Sequence, residues 1–169
     1  MTIRLWVGAM TKVRRFEDLI CWQKARALAN TIHALTRHAD FSKDFRLRDQ
    51  ILDASGSVMH NIAEGCDSGT DPEFIRFMKM ARRSASEVQS ELYLALDRVY
   101  ITEVELRKAY DQADETKRLI NGLIAYLRKN NQNTAGKISE EQVDYFVGDE
   151  GNLFDLIDDT TDYDPSGNY

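Results

Sequence analysis

The stretch from Thr70 to Val99, TDPEFIRFMKMARRSASEVQSELYLALDRV, decides the fold. Phe74, Phe77/Met78, Ala81, Ala85, Val88, Leu92, Ala95/Leu96 and Val99 recur every three to four residues, the spacing that puts side chains on one face of an α-helix. No other part of the chain has so strong a periodicity. Thr70-x-x-Glu73 has the form of a capping box, and Pro72 sits where a first-turn proline is tolerated. A helix with one apolar stripe cannot stand alone in water, so the stretch demands helical neighbours.

Those neighbours are legible on either side. A helix is expected from about Phe16 to His38, with Trp22, Ala25, Ala29, Ile32 and Thr36 in one stripe widened by Leu28 and Leu35. Ser42 is placed to N-cap a second helix, which continues through Leu47, Ile51, Ala54, Val58 and Ile62. Gly65 is expected to end it in the left-handed position beyond a helix terminus. After the polar loop 66–70 and the long helix, Thr102-x-x-Glu105 forms a second capping box. It opens a fourth helix carrying Leu106, Tyr110, Ala113, Lys117, Ile120, Ile124 and Leu127. Four amphipathic helices joined by short connections satisfy one another best as an all-α, antiparallel up-down four-helix bundle.

The expected organisation is an N-terminal arm over 1–14, the bundle over 15–130 and an acidic, largely irregular tail over 131–169. Within the tail, residues 139–147 have the pattern of a short helix and residues 152–157 that of a further turn. Met10 offers an alternative start, residues 3–10 are too short for a signal peptide, and nothing approaches the roughly 20 apolar residues of a membrane span. Two distant cysteines, Cys21 and Cys66, read as reduced thiols, and the expected compartment is the cytoplasm, with no membrane partner. The net charge of −6 conceals an asymmetry: residues 1–130 hold 21 Lys+Arg and 18 Asp+Glu, whereas 131–169 hold one lysine and 10 acids. Body and tail therefore invite different partners.

Catalytic and metal chemistry find little support. A di-iron bundle needs Glu-x-x-His pairs on facing helices, and none occurs in the sequence. His33 and His38 are five residues apart, and His60 stands alone. Cys66 has no histidine paired with it, and Gly65-x-x-x-Gly69 lacks the Lys-Ser/Thr that completes a phosphate loop. No cofactor, metal or catalytic residue is assigned, and a non-enzymatic role is expected.

Basic residues offer more. Arg76, Lys79 and Arg83 share one helical face with Arg82 beside them, and Arg46 and Arg48 open the second helix. Such cations either contact phosphates of RNA or DNA or form an ordinary solvated face. Small residues at 54–57 are expected to let two helix backbones approach, and Asn61, Glu64, Ser84 and Glu87 to form one polar cluster that fixes register. Tyr145, Phe146, Leu153, Phe154 and Leu156 lie among tail acids in the pattern of partner anchors, which makes a protein-interaction module the alternative reading. In a third reading the tail regulates the basic face.

Phe16-Glu17-Asp18-Leu19-Ile20-Cys21-Trp22-Gln23-Lys24-Ala25 resembles the opening of four-helix bundle proteins encoded by intervening sequences in 23S rRNA genes. Asn61-Ile62-Ala63-Glu64-Gly65 and Glu73-Phe74-Ile75-Arg76-Phe77 resemble two further motifs of that family, and Ser84 with Glu87 stands where the family has Ser and Glu. The resemblance spans about residues 14–129. It implies an up-down bundle, a homopentamer with a basic central channel, and kinship with retroelement accessory proteins that bind a reverse transcriptase and nucleic acid. Met59 and His60 depart from the family's proline and small residue, and the acidic tail has no counterpart in it.

Overall fold

A computed structural model describes residues 15–133, and side chains through 129. A 3₁₀ turn at Phe16–Asp18 leads into α1 (Ile20–Leu35), and a second at Phe41–Lys43 into α2 (Phe45–Asp67). α3 (Asp71–Asp97) and α4 (Glu103–Asn133) complete an all-α bundle, with no strand among the described residues. Cross-helix bonds give the directions. Ser84 meets Ser57 while Arg98 meets Asp44, so α2 and α3 run antiparallel. Arg82–Asn121 and Gln89–Tyr110 establish the same for α3 and α4, and Lys24–Glu115 and His38–Glu105 for α1 and α4. The bundle is up-down-up-down.

Its interior has two halves. Leu28, Ile32, Phe41, Ile51, Leu92 and Ala109 fill the half near the α3–α4 turn, and Leu19, Val58, Ile62, Met78 and Ile120 fill the other. Each fully buried Leu or Ile stabilises by about 1.5–3 kcal/mol relative to exposure, so these stripes supply most of the driving force. Among the expected stripe residues, Trp22 is only half-buried and packs its ring on Phe16 at 5.0 Å, while Val99 is 86% exposed.

Several helix ends differ from the sequence expectation, each for a local reason. α1 ends at Leu35 rather than His38, and the chain turns through Thr36, whose hydroxyl donates to the His33 carbonyl. Asp44, not Ser42, caps α2: its carboxylate accepts the Leu47 N–H at 3.2 Å. The same carboxylate accepts from Arg98 and from the Tyr100 hydroxyl, so one residue caps α2 and clamps it to the end of α3. Its pKa is lowered, first by the Leu47 N–H and further by Arg98 and Tyr100. At α3 the Thr70 side chain makes no capping bond, and Glu73 instead pairs with Arg76 at 2.9 Å. At α4 the capping box does form: Glu105 accepts from the Thr102 N–H at 2.8 Å, and Thr102 accepts the Glu105 N–H at 3.3 Å. Val99 sits at φ 59° in the α3–α4 turn, where its N–H reaches Leu96 and that of Tyr100 reaches Ala95. This is the Schellman pattern with a β-branched residue in the strained left-handed position.

Gly65 has a different task from the one expected. α2 runs two residues past it, and Gly69 takes the left-handed conformation at φ 78°. Gly65 is buried against α3, where a Cβ would lie 2.7 Å from Phe74 Cδ2 and 2.9 Å from Phe77 Cβ. Gly56, placed by sequence in the close-approach stripe, is not part of it; the nearest atom to a Cβ there is His60 Cε1 at 3.7 Å. The two glycines are therefore expected to respond oppositely in urea unfolding. Gly65→Ala should lose about 1–3 kcal/mol from overpacking. Gly56→Ala should be neutral or gain up to about 1 kcal/mol from helix propensity. Equal effects would contradict this placement.

Candidate nucleic-acid interface

The basic residues of α3 belong to a larger feature that only the packing reveals. Residues 74–86 contain Arg76, Lys79, Arg82 and Arg83 and no acid. Residues 116–129 contain Lys117, Arg118, Arg128 and Lys129 and no acid. Antiparallel packing lays these two segments side by side, because Arg82 donates to Asn121 Oδ1 at 3.1 Å and Lys117 to Gln89 Oε1 at 2.9 Å. Eight cations thus share about 20 Å of helix pair with no carboxylate from either segment.

At 100° per residue, Arg82 and Arg128 flank the groove between α3 and α4. Lys79 and Arg83 lie outward on α3, and Arg118 and Lys129 outward on α4. Engagement divides them. Arg76 pairs with Glu73 and lies over the Phe77 ring at 4.6 Å, and Arg118 pairs with Asp114 at 3.3 Å. Arg82 spends its bond on a neutral amide, and no described acid compensates its charge. Lys79, Arg83 and Arg128 are exposed, and no salt bridge joins them to another described residue. A polyanion could meet four available cations here.

Arg46 and Arg48 do not join this seam. They open α2, at the end where Asp44 meets Arg98, fifteen residues along α3 from Arg83. That is about 22 Å, well over two Debye lengths at physiological salt, so the two groups act independently. Arg48 is further engaged by Asp49, by the Ser42 carbonyl and by the Phe45 ring at 4.7 Å.

The expected polar cluster is partly assembled. Asn61 Nδ2 donates to the Ser57 carbonyl at 2.8 Å and to Ser57 Oγ at 3.0 Å, and Ser84 Oγ donates to Ser57 Oγ at 3.1 Å. Glu64 and Glu87 are exposed, and Ser57 occupies the centre. The buried carboxylate of α3 is instead Glu91, 7% exposed, with Oε2 unpartnered. Burial raises its pKa and Glu87 adds to the rise, while Arg98 opposes it.

Neither thiol is activated. Burial pushes Cys21 up to about 12, and burial with Asp67 nearby raises Cys66. Among the described residues no group of three or more His, Cys, Asp or Glu could hold a metal ion, and no helix is long and apolar enough to cross a membrane. A groove of about 370 Å³ between α1 and α4 is lined by Thr31, His38, Glu105 and Lys108, at the end away from the basic seam. The proposed tail anchors Tyr145, Phe146, Leu153, Phe154 and Leu156 and the short tail elements lie outside the described residues.

A raised carboxyl pKa fixes the sign of one expectation. Glu91 costs stability above the ordinary carboxylate range, fully so once the pH exceeds its raised folded value, and nothing when protonated. Glu91→Met should therefore stabilise by about 1 kcal/mol at neutral pH. The gain should vanish on acidification through the carboxylate range in thermal melts; a pH-independent gain would show that charge burial is not its cause.

Comparison with known proteins agrees with the bundle. A crystal structure from Bacteroides thetaiotaomicron VPI-5482, of a protein of unknown function from the S23 ribosomal protein family, is similar in fold, with a TM-score of 0.59 at 24% identity. The likeness covers 62% of this chain and 98% of that one. No curated protein matches the chain. The family profile of the 23S rRNA-intervening sequence protein matches residues 17–122, from the first motif of α1 into α4. The chain belongs to the 23S rRNA-intervening sequence protein family.

Proposed function

We propose that this protein is a non-enzymatic, oligomeric scaffold that binds the phosphate backbone of nucleic acid along the α3–α4 seam. The observation that carries this reading is the convergence of two acid-free segments, 74–86 and 116–129, with Lys79, Arg82, Arg83 and Arg128 joined by no salt bridge among the described residues. The described residues as a whole are balanced, with 18 Lys+Arg and 18 Asp+Glu, so the seam is a local concentration of charge rather than a share of general basicity. Cations on a fixed helical surface neutralise phosphates and release counterions without reading sequence. The seam offers no loop or exposed aromatic row for base stacking, which favours a backbone contact over base readout. The homopentamer expected from the family resemblance would repeat the seam around an axis. A nucleic-acid-processing enzyme such as a reverse transcriptase would then be a partner held through shared RNA or DNA.

Anisotropy of a labelled single-stranded RNA and a labelled DNA duplex, at low and moderate salt, tests the proposal. Lys79→Gln and Arg83→Gln should each weaken binding to both probes and reduce the salt slope by about 1. Arg46→Gln should leave both unchanged. Absence of binding at low salt, in the wild-type chain and in a chain with its tail carboxylates changed to amides, would overturn it. Light scattering on the same samples should give the mass of five chains, and a monomer would refute the assembly.

A further inference from the structure

We propose that the chain's own acidic segment, residues 134–169, seats on the α3–α4 basic seam and competes there with phosphate. Its docking half is independent of the nucleic-acid reading, and its competitive half rests on it. Three observations converge.

The first is where the segment begins. α4 ends at Asn133, four residues past Lys129, at the same end of the bundle as Lys79 and Arg83 because α3 and α4 are antiparallel. The segment's first residue thus follows a point about 6 Å beyond the seam rather than one at the opposite end. The second is reach. Glu140 and Glu141, the first tail acids, are seven and eight residues beyond Asn133. An extended chain covers about 25 Å in that length, against roughly 16 Å of seam from Arg128 to Lys117. The return path is long enough without strain.

The third is charge. Residues 134–169 carry 10 acids and one lysine, and the described residues are neutral overall, so the chain's excess negative charge is concentrated in this segment. The seam's counter-charge is missing from segments 74–86 and 116–129 themselves, with Arg76 and Arg118 paired by acids just outside them, and is present a few residues downstream. Tethering holds such a segment at an effective concentration of order mM, enough for several weak ion pairs to compete with a free polyanion. The other basic group, Arg46 and Arg48, is farther from the tail's origin and already engaged at Arg48.

Zero-length carbodiimide coupling of the full chain tests the seat directly, because it joins lysine amines only to carboxylates in contact with them. Mass spectrometry should find tail carboxylates from Glu140 onward joined to Lys79 and Lys117, several-fold above Lys43 and Lys108 at the far end. About 0.5 M salt should suppress these bonds. Mixing isotopically labelled and unlabelled chains should show that they form within one chain. Equal coupling to all four lysines, or coupling only between chains, would overturn the seat. For competition, the probe is a fluorescent single-stranded oligouridylate. Changing the tail Asp and Glu to Asn and Gln in the full chain should tighten its binding about tenfold at low salt. Unchanged affinity with the cross-links present would overturn competition, whereas probe binding lost altogether with cross-links intact would overturn the phosphate-binding reading instead.

Discussion

The structure depends first on how closely α2 and α3 approach. Gly65 has no side chain, and Phe74 and Phe77 occupy the space that one would need. Up the same interface, Ser57, Asn61 and Ser84 bond to one another, and Asp44 clamps Arg98 and Tyr100. α2–α3 is the most extensive interhelical contact of the bundle, and these bonds fix its register. With that register set, Arg82 lies level with Asn121 and Gln89 with Lys117, so α4 is held with its basic half beside the basic half of α3. The surface proposed for phosphate thus lies on the face of α3 away from this constraint, its own register held by the short turn through Val99 and by the Arg82–Asn121 and Lys117–Gln89 bonds.

Charge along the α3–α4 pair is strongly polarised. Residues 74–86 and 116–129 hold eight cations and no acid, whereas 87–98 and 103–115 hold eight acids and three cations. Such separation raises self-repulsion within each half, which costs stability that a random mixture of signs would not. Some of this is relieved locally, by Arg76 on Glu73 and Arg118 on Asp114. Lys79, Arg83 and Arg128 have no such relief among the described residues. In the proposed role, an external polyanion or the chain's own tail would supply it.

Much of the fold was legible from residue spacing alone, because apolar stripes at three- and four-residue intervals leave a bundle as the only way to bury them. The Thr102–Glu105 capping box was legible for the same local reason. What escaped the sequence depended on contacts between helices. Gly65 looked like a helix terminator because a glycine before a polar loop has that pattern; its packing role needs Phe74 and Phe77, which lie on another helix. Val99 continued the α3 stripe on paper, but the helix had already turned. The α4 half of the basic seam escaped because Lys117, Arg118, Arg128 and Lys129 are unremarkable on one helix and acquire meaning only beside Arg82 and Lys79. Its one sequence signal was the absence of any acid over 116–129. Nothing local in the sequence distinguishes the buried Glu91 from the exposed Glu87.

On the proposed reading, phosphate meets the seam between α3 and α4. Amide chemical-shift mapping of the full-length protein, titrated with a single-stranded RNA at low salt, tests it most directly. Perturbations should concentrate in residues 74–86 and 116–129, with resonances of 44–50 and 97–108 unmoved. Perturbations centred on the Arg46–Arg48 end, or spread evenly over the bundle, would contradict it.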